Sequence, residues 1–202
     1  MKKKLLILGK SPHFIKLLKN IYSNYQIYIT SWRNPILFRK FDIIFICGFD
    51  YSCFHKNLNF FLNKNCVEPI NYLKKITSVN SKIIYINTKM SFTKYTFSRY
   101  YFAKVQLANL LNRKFINTSI IAIPTISNNG RIFIFGDCIS KKIFSILITF
   151  GLVKNLELNT LKKKLYIKNI KFNNYINCEL NGMMLRIPRS LFLDRLLRFI
   201  FG

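Results

Sequence analysis

The sequence predicts an α/β fold in which a mostly parallel sheet is flanked by helices. Short apolar runs, among them Leu5–Leu8 and Lys82–Thr88, alternate with longer stretches of helical periodicity. Uninterrupted apolar runs are typical of strands buried on both faces, and strands that alternate with helices form parallel sheets. Half of the 202 residues are hydrophobic, which is enough to form a core. We expect one α/β domain over 1–137 and a short C-terminal appendage over 138–202.

The first strand, turn and helix have the order that opens a nucleotide-binding fold. Gly9 follows the apolar run Leu5–Leu8, and Ser11 and Pro12 then suit the N-cap and first position of a helix. This order is that of a Rossmann-like, doubly wound sheet. Of the three glycines in its phosphate-binding pattern, only the first is present, because Pro12 and Ile15 hold the other two positions. Pro12 removes an amide that would face a phosphate, and Ile15 obstructs close approach of the backbone.

The second predicted strand, Tyr25–Ser31, is followed by Trp32 and Arg33. At this strand end an acid holds a ribose 2′-hydroxyl, whereas an arginine accommodates a 2′-phosphate. Arg33 therefore favours NADP(H) over NAD(H), and the alternative is an ordinary surface cation. The short connection from Asn34 to the next strand leaves no room for a further strand and helix. We therefore expect the sheet to be reduced.

The rest of the domain is predicted from the same alternation of apolar runs and helical patterns. Pro69 is expected to kink or divide the helix that contains it, and Pro124 is expected to end the last strand of the domain. Beyond Gly130 the pattern becomes less regular. The predicted elements are strands over 41–48, 82–88, 118–123, 131–135 and 165–172, the last one exposed, and helices over about 57–76, 96–113 and 139–150.

The helix predicted over 96–113 carries Tyr100 and Lys104, which lie four residues apart and therefore share one helical face. A tyrosine hydroxyl beside an ammonium has a lowered pKa, as a phenolic acid/base requires. The alternative is an amphipathic helix in which an aromatic residue and a cation share a face by chance.

The order of these elements, with Tyr-x-x-x-Lys after a strand that ends in Asn87 and Thr88, resembles that of the short-chain dehydrogenase/reductase superfamily. The resemblance implies that Tyr100 is the acid/base and that Lys104 binds the nicotinamide ribose. It further implies that a residue at the preceding strand end, Thr88 or Asn87, polarises a substrate carbonyl. The cofactor contacts that it implies are Gly9, Ser11, Arg33, Cys47, Gly48, Tyr100, Lys104 and Pro124.

Within this superfamily the chain is similar to the NADPH-binding, dehydrogenase-like accessory subunits of mitochondrial respiratory complex I. The similarity rests on Ser98-Arg99-Tyr100 with Lys104, on Phe115–Pro124, and on Gly48-Phe49-Asp50-Tyr51, which resembles that family's Gly-Arg-Asp-Trp loop. It implies a non-catalytic subunit with a structural NADP(H) site, bound to other subunits on the matrix side of the inner membrane. The alternatives are a reductase or epimerase acting on a nucleotide sugar, in a bacterial cytoplasm, and a basic protein of an organellar ribosome.

The net charge of +26 arises from 33 Lys and Arg residues against seven acids. Such a charge attracts polyanions, anionic lipid or acidic partner subunits. The lysines are spread along the chain instead of clustering with aromatic residues, which makes nucleic acid the less favoured partner.

The final segment, Leu191–Phe201, predicts an amphipathic helix whose polar arc consists of Asp194, Arg195 and Arg198. Such a helix either packs into a groove of its own protein or lies in a membrane interface. Its flanking arginines favour the interface, with anionic lipid as the partner.

The five cysteines form no close pair and have no clustered histidines, which predicts reduced thiols and no zinc site. The longest apolar run, over 143–153, is too short to span a bilayer. Met1 is followed almost at once by the first strand, so we expect no targeting peptide and a soluble or peripheral protein.

Overall fold

Five parallel strands form the main sheet of the computed structural model, which describes residues 2–9, 11–34, 40–88, 98–128, 131–132, 146, 150, 155–172 and 194. The strands run in the order β2-β1-β3-β4-β5, and every neighbouring pair is parallel. Their bounds are Lys4–Leu8 (β1), Gln26–Thr30 (β2), Ile43–Ile46 (β3), Lys82–Thr88 (β4) and Thr118–Ile123 (β5). The predicted α/β class and the reduced, Rossmann-like parallel sheet are thus confirmed.

The direction of strand addition reverses between β1 and β3, which are neighbours with Leu8 opposite Ile46. In open α/β sheets ligands bind outside the carboxyl ends of the strands, at such a reversal. Gly9 and Cys47 directly follow the two strands that meet there. The fold therefore brings two segments of the predicted site together.

Helices cover both faces of the sheet. Pro12–Ile21 (α1) follows β1, and Arg99–Lys114 (α4) connects β4 to β5. Between β3 and β4 the chain forms Leu58–Leu62 (α2), a π-helical turn over Asn63–Val67, and Glu68–Ile76 (α3).

Pro69 was predicted to kink or divide its helix, and the structure shows a continuous helical segment with a π-helical turn just before the proline. The π-helical turn ends at Val67, two residues before the proline, and the amide of Glu68 donates to the carbonyl of Asn63, five residues back. A proline has no amide to continue an α-helical ladder, so a widened turn before it keeps the helix going without a break.

Alternate residues of each central strand enter two separate apolar cores. One core packs Leu6 and Leu8 against α3 and α4, and the other packs Leu5 and Ile7 against α1 and the C-terminal segment. Because both faces of the sheet are buried, the strands read as continuous apolar runs in the sequence.

A second, three-stranded sheet lies beyond Pro124, which ends β5 as predicted. Its strands are Thr125–Asn128 (β6), Arg131–Ile132 (β7) and Asn155–Glu157 (β8), and β8 pairs with β6. Part of the predicted appendage therefore joins the N-terminal part of the chain; the boundary at 137/138 remains a prediction. The predicted helix over 139–150 lies outside the described residues, apart from Ile146 and Phe150.

The prediction of an exposed strand over 165–172 is wrong. The chain instead forms the helix Leu158–Lys164 (α5) and a 3-10 turn over Ile167–Asn169. Leu165 and Ile170 are both buried in the core beside Leu5 and Ile7. Buried apolar residues at a helix end and in a tight turn alternate with exposed polar residues, and this alternation in the sequence is also typical of a strand.

No helix in the described part of the chain is both long and apolar enough to cross a membrane. The same residues contain no group of three or more His, Cys, Asp or Glu side chains placed to hold a metal ion.

Candidate functional site

The turn after β1 and the end of β3 touch through their backbones. Gly9 has a φ of 140°, in the region that favours glycine, and its amide donates to the carbonyl of Thr30 at 2.9 Å. A Cβ added to Gly9 would lie 2.5 Å from the amide nitrogen of Gly48, and one added to Gly48 would lie 2.8 Å from the Cα of Gly9. Both glycines are therefore required by the packing of the protein itself.

The start of α1 faces the same edge of the sheet as Gly9. Ser11 takes the N-cap position and Pro12 opens the helix, as predicted, and the amide of Ile15 donates to the carbonyl of Ser11 at 3.0 Å. The side chain of Ile15 packs against the core that contains Leu5. The third glycine position is thus filled by a side chain that serves the core, which leaves a smaller cradle for phosphate.

Arg33 lies at the edge of the sheet, where the sequence predicted it, and pairs with Asp50. The carboxylate of Asp50 is buried, and it also accepts hydrogen bonds from the amide and hydroxyl of Ser52 at 2.8 and 2.7 Å. Asn65 holds the backbone of Asp50 through both of its amide atoms, at 2.7 and 3.0 Å. The predicted 2′-phosphate ligand is therefore already neutralised by a fixed carboxylate, while its own side chain is half exposed.

Three aromatic rings lie together beyond the carboxyl ends of β3 and β4. The ring of Tyr100 lies 4.7 Å from that of Phe49 in an edge-on arrangement and is stacked 5.8 Å from that of Tyr51, with an interplanar angle of 12°. We call these three residues the aromatic cluster. Stacked and edge-on pairs at these spacings are favourable, so the cluster holds the side chain of Tyr100 in one orientation.

Lys104 lies one helical turn after Tyr100 and is buried, with 6% of its surface exposed. Its ammonium donates to the carbonyl of Ile86 at 3.1 Å and lies 5.3 Å from the centre of the Tyr100 ring. It also lies 5.2 Å from the ring of Tyr85. Burial lowers the pKa of Lys104 to about 8, an effect that Tyr51 partly offsets. The predicted Tyr–Lys pair is thus brought together, with its amine close to a neutral pKa.

Cys47, Thr88 and Pro124 lie at or just after the carboxyl ends of β3, β4 and β5. Burial raises the pKa of the Cys47 thiol to about 12, against the effect of the nearby Lys104 ammonium. Thr88 is half-buried, two residues after the carbonyl that binds Lys104, and Pro124 follows Ile123, the partner of Thr88 across the β4–β5 pair. All of the predicted site residues therefore lie along the carboxyl edge of the sheet.

The start of α4 is contacted by a residue from a distant part of the chain, which sequence reasoning did not place there. Asp194 is fully buried, and its two oxygens accept from the amide of Arg99 at 2.7 Å and from the hydroxyl of Ser98 at 3.1 Å. The guanidinium of Arg99 donates to the carbonyl of Phe54 at 3.1 Å. The sequence predicted Asp194 in the polar arc of an amphipathic helix, and the structure shows that this residue is buried and that its charge caps the start of α4. The other residues of the predicted amphipathic helix lie outside the described part of the chain.

Comparison of the sequence with protein-family models and with curated proteins gives no match. Solved structures are similar to it in fold. One is a dTDP-4-dehydrorhamnose reductase from Bacillus anthracis in complex with NADP, with a TM-score of 0.54, 12% identity, and coverage of 78% of this chain and 74% of that one. A carbonyl reductase from Pseudomonas aeruginosa aligns over 78% of this chain and 97% of its own at 10% identity, with a TM-score of only 0.40. At these identities the likeness shows the fold alone.

Proposed function

We propose that the chain belongs to the short-chain dehydrogenase/reductase superfamily and is an NADP(H)-dependent reductase that acts on a carbonyl group. The observation that carries the proposal is the Tyr100–Lys104 pair, whose ammonium lies 5.3 Å from the phenol ring at the carboxyl edge of a Rossmann-like sheet. The structural neighbour that holds NADP has the same fold and supports this class of cofactor.

The residues at this edge fit the two halves of a dinucleotide unequally. Around the nicotinamide half, the Tyr100–Lys104 pair and the end of β4 are in place. Around the phosphate half, Gly9 and the start of α1 remain, but Pro12 and Ile15 replace the other two glycines. Arg33 supplies the cation for a 2′-phosphate once the phosphate replaces Asp50 as the partner of its guanidinium. We infer a site that holds the cofactor mainly from its nicotinamide side.

The bound cofactor supplies the hydride, and the protein supplies the proton. Tyr100 donates its phenolic proton to the carbonyl oxygen of the substrate, because the aromatic cluster holds its ring at the edge of the sheet. The ammonium of Lys104 stabilises the negative charge that then develops on the phenol oxygen. The hydroxyl of Thr88, at the end of β4, orients the substrate carbonyl.

The test measures NADPH binding and NADPH oxidation separately. The protein is titrated with NADPH and then assayed with keto-sugars linked to a nucleotide, dTDP-4-dehydrorhamnose first. We expect Tyr100→Phe to retain binding and to lose turnover, and Lys104→Ala to weaken both. Binding without turnover by the wild-type protein on all of these substrates contradicts the reductase and leaves a structural nucleotide site.

A second candidate is a non-catalytic accessory subunit of a membrane-bound respiratory complex that retains the nucleotide site for structure. It is favoured by the replacement of two phosphate-loop glycines and by a net charge of +26, which suits acidic subunits or anionic lipid. Native electrophoresis of mildly solubilised membranes from the source organism tests it. Comigration with NADH dehydrogenase activity supports this candidate, and migration only as a free small protein contradicts it.

A further inference from the structure

The edge of the sheet opposite the candidate site carries two unusually exposed aliphatic side chains. Val79 is 82% exposed in the loop before β4, and Ile116 is 77% exposed in the loop before β5. The side-chain amide of Asn117 donates to the carbonyl of Val79 at 2.9 Å, and the amide of Ile83 donates to the carbonyl of Asn117 at 2.9 Å. The two loops are thus fastened side by side, with both aliphatic side chains in solvent.

Exposed cations surround this pair, because α3 and α4 both end at the amino edge of the strands. The last turns of these helices are basic, and Lys40 enters the same edge, where its ammonium donates to the carbonyls of Lys75 and Thr77 at 2.9 and 3.0 Å. Among the described residues at the amino ends of the strands and the adjoining helix ends, Asp42 is the one acid. Besides Lys40, which its hydrogen bonds place at this edge, the exposed cations that flank the two loops in sequence are Lys74, Lys75, Lys82, Arg113 and Lys114.

We propose that this surface, Val79 and Ile116 with the six cations around them, is a docking site for an anionic phospholipid membrane. We call it the amino-edge patch. The proposal is independent of the reductase activity, because the patch and the candidate site lie at opposite ends of the same strands.

The composition of the patch selects a lipid surface over other anions. Each cation close to an anionic membrane strengthens binding modestly, and stable attachment needs an apolar contribution as well. Two aliphatic side chains at loop tips, held together by Asn117, supply that contribution. A site for single-stranded RNA needs exposed aromatic rings on which bases stack, and Val79 and Ile116 offer none. Charge alone also suits an acidic protein, but protruding aliphatic tips suit the acyl boundary of a bilayer.

Vesicle co-sedimentation tests the proposal with the full chain. The vesicles consist of phosphatidylcholine alone or of equal parts phosphatidylcholine and phosphatidylglycerol. We expect binding to the anionic vesicles that is about tenfold tighter or more, and that weakens as salt screens the charges. Equal binding to both kinds of vesicle overturns the proposal.

Two pairs of variants locate the binding surface, and all of their positions are exposed. Lys74→Glu with Lys114→Glu is expected to weaken binding about tenfold or more, whereas the charge-matched control Lys16→Glu with Lys56→Glu is expected to weaken it much less. Val79→Ser with Ile116→Ser is expected to reduce binding, and its control Phe150→Ser is not. Thermal melts verify that each variant is folded.

Equal losses in patch and control variants overturn the proposal, since they indicate attraction by net charge alone. A single-stranded RNA oligonucleotide and a soluble acidic protein are tested as competitors. If either binds through the amino-edge patch while the vesicles bind elsewhere, the occupant proposed here is wrong.

Discussion

The guanidinium of Arg33 pairs with the carboxylate of Asp50, which joins the end of β2 to the loop after β3. This pair occupies the position at which a Rossmann-like fold distinguishes a 2′-phosphate from a 2′-hydroxyl. Asp50 is buried and fixed by Ser52 and Asn65, whereas Arg33 is half exposed. A 2′-phosphate must therefore compete with a carboxylate that cannot move away.

Asp50→Asn is expected to tighten NADPH binding and to leave NADH binding nearly unchanged. The substitution removes the competing charge while retaining a side chain that can accept from Ser52. A half-exposed ion pair contributes up to about 1 kcal/mol, so we expect roughly a fivefold lower Kd for NADPH. Fluorescence titration with both nucleotides measures it. Asp42→Asn, at the opposite edge, is the matched control, and an equal effect in that variant contradicts the role of Asp50.

Lys104→Met is expected to stabilise the folded protein at neutral pH, although it removes a residue of the candidate site. Burial holds the pKa of Lys104 at about 8, below its value of 10.5 in an unfolded chain. The unfolded state therefore binds more protons between about pH 8 and pH 10.5, and this group makes stability rise with pH in that window. Below pH 8 the buried charge costs the wild type roughly 3 kcal/mol, a cost that the variant avoids.

Urea unfolding of both proteins at neutral pH and at about pH 9.5 measures this effect. We expect the advantage of the variant to shrink as the pH rises, because the wild-type amine then loses its charge. The difference between the two proteins cancels the opposing contribution of Cys66, whose pKa burial raises to about 12. If the stability of the two proteins changes equally with pH, Lys104 is not buried as a charged group and the prediction is contradicted.

Asp194→Ala is expected to lower the free energy of unfolding by roughly 3 kcal/mol. It leaves the buried amide of Arg99 and the hydroxyl of Ser98 without the carboxylate that accepts from them. Asp194→Asn retains one oxygen acceptor and is expected to lose less. Denaturation followed through the single tryptophan, Trp32, reports the change. A loss below about 1 kcal/mol in the alanine variant indicates that the cap contributes little.

Gly9→Ala is expected to lower stability by about 2 kcal/mol or more, whether or not a nucleotide is present. The new Cβ meets the backbone of Gly48 at 2.5 Å, and the φ of 140° is strained for alanine. Ser23→Ala, at an exposed position outside the site, serves as the control. If the variant keeps its stability but binds NADPH more weakly, glycine is required at this position by the phosphate site and not by the packing of the protein.

The sequence was sufficient to predict the main sheet, because its central strands are buried on both faces and so form apolar runs. It also placed Tyr100 and Lys104 on one face, since that relationship is local to one helix. The pairing of Arg33 with Asp50 and the cap from Asp194 join segments that are distant in the chain, and no local pattern encodes them. The error over 165–172 has the opposite origin, because a helix end and a tight turn produced an alternation that locally resembles a strand.

The cap on α4 also affects how the chain folds during its synthesis. Asp194 follows the amide that it binds by 95 residues. At about 5–20 residues per second, a ribosome adds Arg99 roughly 5–20 s before it supplies that carboxylate. During this interval the first turn of α4 depends on Ser98, which accepts from the amide of Tyr101 at 3.3 Å. The Tyr100–Lys104 turn therefore reaches its final support only after Asp194 has been synthesised, and a nascent chain stalled before Asp194 presents the turn without that support.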